Sequence, residues 1–80
     1  MKNHYETLGL PFGASAEQIR KRYRELVRRY HPDVNPSPEA KEQFLRIQEA
    51  YQVLSDPERR RHYDALLRMR LQAGGSGSRG

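Results

Sequence analysis

The sequence predicts a small all-α fold of four helices, in which the second and third helices form an antiparallel hairpin. Two observations predict this class. Long stretches carry apolar residues at intervals of three and four, and no segment alternates with the period of two that a strand needs. The chain has 80 residues and no cysteine, so one domain without disulfide or thiolate-metal support is expected.

The first predicted helix is short and covers about residues 4–8. Asn3 precedes it with a side chain that can cap the first turn, and Glu6 lies three residues later. Gly9 follows it and can adopt the left-handed conformation that commonly ends a helix, so the chain is expected to turn there.

The second predicted helix begins after Ser15 and ends near residue 30. Ser15 followed three residues later by Gln18 is a capping box, which is a sequence signature of a helix start. The end follows from Pro32, because the residue before a proline is pushed out of helical geometry. The apolar face has helical spacing and comprises Ile19, Tyr23, Leu26, Val27 and Tyr30.

The third and fourth predicted helices both begin with a capping residue followed by a proline. Ser37 precedes Pro38, and Ser55 or Asp56 precedes Pro57, where the missing N–H of proline costs nothing. The apolar face of the third helix comprises Ala40, Phe44, Ile47, Tyr51 and Leu54. The apolar face of the fourth is weaker and comprises Tyr63, Leu66, Leu67 and Leu71.

The folded domain is predicted to cover residues 1–71. Gly74 and Gly75 are expected to end the fourth helix, and residues 72–80 are expected to form a flexible Gly/Ser-rich tail, either a native linker or an added end. No apolar run approaches the roughly 20 residues of a membrane span, and the N-terminus lacks a signal-peptide core. A soluble, cytoplasmic protein is therefore expected.

A row of basic residues follows one side of the second helix. At about 100° per residue, this basic stripe occupies an arc beside the apolar face and comprises Arg20, Lys21, Arg24 and Arg28. Like charges four residues apart destabilise a helix, and Glu25 interrupts the charge only on the far side, where it can reach Lys21 and Arg29. Together with the formal net charge of +5, the stripe predicts a face for an acidic partner, and a solvated face without a partner is the alternative.

The connection between the second and third helices contains His31, Pro32 and Asp33. A histidine beside a carboxylate could act as a catalytic base, but the chain offers no convincing nucleophile or substrate cavity, so no enzyme is expected. A metal site needs three or four ligands, and His4 and His62 lie far away in sequence, so no metal or other cofactor is expected.

Two interpretations of Asp33 remain open. The carboxylate could cap its own loop through the backbone, or it could pair with a cation on a partner while the proline-stiffened loop keeps its geometry. Under the second interpretation, replacing Asp33 or His31 is expected to abolish binding function with little loss of stability.

Three segments of the chain together form a specific pattern: "HYETLGL", "ASAEQIRKRYRELVRRYHPDVN" and "FLRIQEAYQVLSDPERRRHYD". The His-Pro-Asp tripeptide alone would be weak evidence. Placed after a basic amphipathic helix and before "EAYQVLSDP", it is highly specific. On these segments the chain closely resembles the J-domain, the co-chaperone module of DnaJ-like proteins.

The resemblance implies docking on an ATP-bound DnaK-type heat-shock chaperone, at its nucleotide-binding domain and interdomain linker, and stimulation of its ATP hydrolysis during protein folding and the stress response. The partner-binding residues that it implies are His31, Pro32, Asp33, Arg20, Lys21, Tyr23, Arg24, Arg29, Asn35 and Phe44. Glu25 and Leu45 depart from the family, because many members carry a basic residue at these positions, and this predicts a narrower stripe.

A small basic helical nucleic-acid-binding domain is the alternative function. It would place the same arginines on phosphates, and its affinity would fall steeply as salt rises. Asp33 separates the two functions, because a phosphate binder gains nothing from a carboxylate beside its basic helix. Nucleic acid is therefore not the expected partner.

Overall fold

All four predicted helices are present in the structure. The computed structural model describes the backbone of residues 2–77 and the side chains of residues 2–70. The helices are α1 (His4–Thr7), α2 (Ala16–Tyr30), α3 (Pro38–Leu54) and α4 (Pro57–Gly77). The described residues contain no strand, and none of their helices is long and apolar enough to cross a membrane. The predicted all-α fold class is confirmed.

The helices begin at the caps that the sequence predicts. Asn3, Ser15 and Ser37 each accept a hydrogen bond from the backbone N–H three residues further on. Before α4, Asp56 takes this role rather than Ser55, because its Oδ1 accepts from the N–H groups two and three residues on, at 3.0 and 3.4 Å. These bonds satisfy donors that the first turn of a helix leaves without an internal partner.

The core lies where α2 packs on α3, and α1 and α4 add residues to it because both pack on α3. Two ring contacts show that the pair is antiparallel. Near the connection, His31 meets Phe44, whereas further from it Tyr23 stacks on Tyr51 with centroids 3.8 Å apart. The fully buried large side chains of the core are Tyr5, Leu8, Ile19, Ile47 and Leu54.

A polar network joins α1 to α4. The hydroxyl of buried Tyr5 donates to Asp64 Oδ1 at 2.6 Å and accepts from Arg60 Nε at 3.3 Å. Arg60 also donates to the carbonyl of Ala14. Burial and the hydrogen bond to Asp64 raise the pKa of Tyr5 to about 12. The α1–α4 network, meaning Tyr5, Arg60 and Asp64, therefore gives the hydroxyl of buried Tyr5 both a donor and an acceptor.

The fourth helix extends further than the sequence predicts. Its backbone continues to Gly77, so the prediction that Gly74 and Gly75 end it near residue 71 is wrong. Glycine lowers helix stability by about 1 kcal/mol but keeps its N–H, whereas proline removes that donor, and no proline follows Pro57. Residues 78–80 of the predicted tail lie outside the described residues, and the domain boundary at residue 71 stays a prediction.

The predicted apolar face of α4 is only partly confirmed. Leu67 is buried and Tyr63 packs partly buried against the core. Leu66, in contrast, is 61% exposed. Adjacent helical residues are about 100° apart, and the side of α4 that packs on the core carries Leu67, so Leu66 lies toward solvent. The side chain of Leu71 lies outside the described residues.

Candidate protein-docking site

The loop between α2 and α3 is held together by His31. The His31 carbonyl accepts hydrogen bonds from the N–H groups of Val34 at 2.9 Å and Asn35 at 2.8 Å. The ring Nδ1 of the same residue accepts from the N–H of Asp33 at 3.1 Å. One residue thus satisfies three consecutive backbone donors, which gives the loop a defined shape and leaves none of these three donors for the Asp33 side chain to cap.

The His31 ring is also fixed by packing on α3. It meets the ring of Phe44 edge to face, with centroids 5.4 Å apart and planes at 69°. Because Nδ1 accepts the N–H of Asp33, a neutral ring carries its proton on Nε2. Nδ1 then has no proton to give to the carboxylate of Asp33, whose Oδ2 lies 3.7 Å away.

Asp33 does not cap its loop. Its side chain is 90% exposed, and its carboxylate accepts no hydrogen bond from any of the described residues. The structure therefore excludes the capping interpretation and leaves a carboxylate that can accept from a cation outside the chain. Within residues 2–70, no three His, Asp or Glu side chains gather closely enough to hold a metal ion.

Pro32 and Asn35 shape the loop in different ways. Pro32 is exposed, fixes its own φ and keeps the preceding His31 extended, with ψ of 138°. Asn35 is half-buried, and its Oδ1 accepts from the N–H of Ser37 at 3.4 Å, one residue before α3 begins. Asn35 and Phe44 thus support the loop from inside the chain, whereas Pro32 and Asp33 face solvent.

The basic stripe lies exposed along α2. None of its four side chains forms an ion pair or a side-chain hydrogen bond with the described residues, and the four are Arg20, Lys21, Arg24 and Arg28. Arg22 on the same helix differs, since its Nε donates to the carbonyl of Leu8 at 2.8 Å and its Nη1 pairs with Glu25 at 3.2 Å. The expectation that Glu25 reaches Lys21 and Arg29 is therefore wrong, because Arg22 is already anchored beside it.

Tyr23 and Arg29 lie off both the loop and the stripe. Tyr23 is half-buried, and its ring stacks on Tyr51 at 8° between the planes, so it packs the hairpin. Arg29 is exposed but lies about 140° around α2 from Arg24, on the flank that Arg22 occupies. The other eight predicted partner-binding residues lie in the loop, against it, or on the stripe.

Two exposed apolar residues add to the description of the site. Val34, which the sequence analysis did not select, is 65% exposed directly after Asp33. Its signal was available as a β-branched apolar residue in a loop, where polar residues are usual. Leu45 is 55% exposed on α3, so the departure from the family leaves an apolar side chain in solvent at that position.

Known proteins have sequences similar to this chain. A family model described as the DnaJ domain matches residues 3–64. Chaperone protein DnaJ 2 of Aquifex aeolicus is 60% identical over 63 residues, which are 79% of this chain and 17% of the relative. Chaperone protein DnaJ 2 of Thermus thermophilus is 59% identical over 63 residues, or 79% of this chain and 22% of the relative.

A mammalian protein covers more of the chain. DnaJ homolog subfamily B member 5 of Mus musculus is 47% identical over 77 residues, which are 96% of this chain and 22% of the relative. The chain thus spans about a fifth of the length of the curated relatives that it matches.

Proposed function

The chain belongs to the DnaJ-domain family, and from this premise we propose that it docks on the ATP-bound state of a DnaK-type chaperone and stimulates ATP hydrolysis there. The contact would involve the nucleotide-binding domain and the interdomain linker of the chaperone. The chain is then a co-chaperone module whose loop acts on the active site of another protein. Its cytoplasmic location stays a prediction.

The observation that carries the proposal is the exposed carboxylate of Asp33, which accepts no hydrogen bond from the described residues, beside a basic stripe that forms no ion pair with them. Asp33 is 90% exposed at a fixed position, and Arg28 precedes His31 by less than one helical turn. A row of positive charge next to one negative charge fits a partner with an acidic surface and a cation beside it. Such mixed charge sets the register of a complex as well as attracting it.

The two surfaces would have different roles in the complex. The stripe attracts the acidic surface and raises the rate of encounter, an effect that salt weakens. Asp33 would compete for a charged contact that holds the chaperone in its slowly hydrolysing state. A hydrogen bond to a charged group is worth about 1.5–3 kcal/mol, so one such contact made only in the transition state accounts for a rate increase of about tenfold to a hundredfold.

The shape of the loop makes this contact less costly. Three of its backbone donors are bonded to His31, Pro32 fixes one φ, and Phe44 holds the His31 ring. A loop that is already ordered loses little conformational entropy when it docks. This preorganisation supports recognition as the role of the loop.

Single-turnover ATP hydrolysis by a DnaK-type chaperone tests the proposal. With the chain present, the rate is expected to rise severalfold or more, and the chain alone is expected to hydrolyse no ATP. Heat-unfolded chain and Asp33→Asn serve as controls, because the first keeps the composition and both keep every positively charged residue. Unchanged rates with several such chaperones would overturn the proposal.

Binding to nucleic acid provides a separate test of the alternative function. If phosphate were the ligand, Asp33→Asn would strengthen binding to duplex or single-stranded oligonucleotides, because it removes a repulsive charge. The proposed function instead expects weak oligonucleotide binding that Asp33→Asn does not strengthen.

A further inference from the structure

Val34 presents an apolar side chain in the exposed part of the loop. It is 65% exposed, as much as any large apolar residue described in the chain. Pro32 and Pro36, two residues away on either side, are exposed as well. The segment around Asp33 therefore combines one carboxylate with three apolar side chains in solvent.

The position of Val34 is as well defined as that of Asp33. Its N–H donates to the His31 carbonyl at 2.9 Å, which ties its backbone to the residue that shapes the loop. A β-branched side chain has few χ1 rotamers, so burying it against a partner loses little side-chain entropy. An isolated exposed apolar residue needs no explanation on a protein surface, but one fixed beside the only charged group of a docking loop is placed for contact.

We propose that Val34 is a further contact residue of the docking site and packs on an apolar patch of the chaperone. The proposal rests on the proposed function and deepens it, since it adds a chemical requirement to the partner. The chaperone surface must offer an apolar patch directly beside the cation that Asp33 engages. The partner of Val34 is the same chaperone that Asp33 contacts, because the two residues are adjacent in one hydrogen-bonded turn.

Apolar contact next to a charge pair has a specific energetic effect. It excludes water from the rim of the pair, which strengthens the electrostatic contact and slows dissociation. Val34 would therefore set how tightly the loop is held, whereas Asp33 sets how much hydrolysis is stimulated once it is held.

Val34→Thr tests this role, because threonine keeps the shape and replaces one methyl with a hydroxyl. The concentration of the chain that gives half-maximal stimulation is expected to rise by about fivefold, with the maximal rate unchanged. Met69→Gln is the matched control, since Met69 is equally exposed at 65% but lies on α4. The control is expected to leave both quantities at the wild-type values.

Salt dependence identifies the kind of contact. The ratio of the Val34→Thr half-maximal concentration to that of wild type is expected to stay constant as salt rises, because apolar burial is not screened. The corresponding ratio for Arg24→Glu is expected to shrink. If Val34→Thr has the same half-maximal concentration as wild type while Asp33→Asn loses stimulation, the inference is overturned and the proposed function still stands. Absence of stimulation by the wild-type chain would overturn both.

Discussion

Two aspartates show how differently the two ends of this molecule use the same side chain. Asp64, in the α1–α4 network, is 24% exposed, accepts the hydroxyl proton of Tyr5 at 2.6 Å and lies 3.8 Å from Arg60 Nε. Asp33, in the loop, is 90% exposed and accepts no hydrogen bond within the described chain. The Asp64 carboxylate is hydrogen-bonded within the fold, whereas the Asp33 carboxylate can still accept a hydrogen bond from a partner.

The difference teaches how to separate structural from functional charge in a small domain. A buried polar group is costly unless it is paired, so the buried Tyr5 needs a partner for its hydroxyl, and the partly buried Asp64 supplies it. An exposed carboxylate is solvated and needs no partner, so the fold does not require one for Asp33. Its backbone is fixed through His31, so the exposed carboxylate is held at a defined position.

The same contrast occurs within α2. Arg22 is anchored to the Leu8 carbonyl and to Glu25, whereas Arg24, two residues later, has no partner among the described residues. These two arginines differ by about 200° around the helix, so one faces α1 and the other faces solvent. Substituting each of them gives a matched pair.

Between these two arginines, the larger effect on stimulation is expected from Arg24→Glu. Reversing one charge of the stripe is expected to raise the concentration for half-maximal stimulation more than tenfold at low salt, while the free energy of unfolding changes by less than about 0.5 kcal/mol. Stimulation assays and thermal melts measure the two quantities. Equal stimulation by the variant and wild type at every salt concentration would show that the stripe is only a solvated face.

Arg22→Glu is expected to show the opposite pattern. The change removes the donor to Leu8 and places two carboxylates within one turn, so unfolding should become easier by about 1–3 kcal/mol. Stimulation per folded molecule is expected to fall far less than with Arg24→Glu. If Arg22→Glu instead left the melting temperature unchanged, the distinction between anchored and available arginines would fail.

Tyr5→Phe sharpens the comparison at the α1–α4 network. The variant removes the hydroxyl and leaves Asp64 without its donor at a partly buried site, which is expected to cost about 1–3 kcal/mol. For a domain of this size, each 1 kcal/mol lowers the melting temperature by about 4–8 °C. Stimulation below the melting transition should stay at the wild-type level, and a loss there would mean that the network also serves docking.

His31→Gln is expected to combine both kinds of effect. The ring accepts the N–H of Asp33 and packs on Phe44, so its removal should lower stability by about 1 kcal/mol and also abolish stimulation. The sequence alone predicts little loss of stability for His31→Gln, and the melting temperature of this variant decides between the two expectations. Phe44→Leu is a control that disturbs the ring contact but keeps the His31 acceptor. It is expected to retain part of the stimulation.

The smallest effect concerns pH and His4. The His4 ring stacks on Tyr63 with centroids 4.5 Å apart, and burial lowers its pKa below the usual 6.5, although nearby Glu49 opposes the shift. Below pH 6.5 the unfolded chain takes up this proton before the folded chain does, so this contribution to stability is present above pH 6.5 and is lost as pH falls. As the pH is lowered from about 7.5 to 5.5, the melting temperature should fall more steeply for wild type than for His4→Gln. Identical slopes would contradict this assignment.

The sequence predicted the helices well because their start signals are local. Ser15 with Gln18, and Ser37 with Pro38, act within one turn, and the capping residues alone locate α2 and α3. The end of α4 was missed because glycine only weakens a helix, so its sequence carries no firm stop. The partner of Glu25 was also missed, because Arg22 is held by a carbonyl 14 residues earlier in the chain.

The residues of the candidate site could be predicted from the sequence, but their hydrogen bonds and exposure could not. The tripeptide and the stripe are visible in the sequence, but whether Asp33 caps its loop depends on which group accepts the loop N–H protons. That group is His31, and no spacing rule assigns its carbonyl and ring this role. The exposure of Val34 likewise depends on how the turn is folded.

The central claim is that Asp33 serves recognition and contributes nothing to the fold. Asp33→Asn keeps the size of the side chain and removes its charge, so single-turnover ATP hydrolysis by a DnaK-type chaperone and thermal melting of the same variant measure the two roles separately. The account expects stimulation to collapse to the unstimulated rate while the melting temperature stays within about 2 °C of wild type, the range of a neutral surface change. A large fall in melting temperature, or stimulation near the wild-type level, would contradict it.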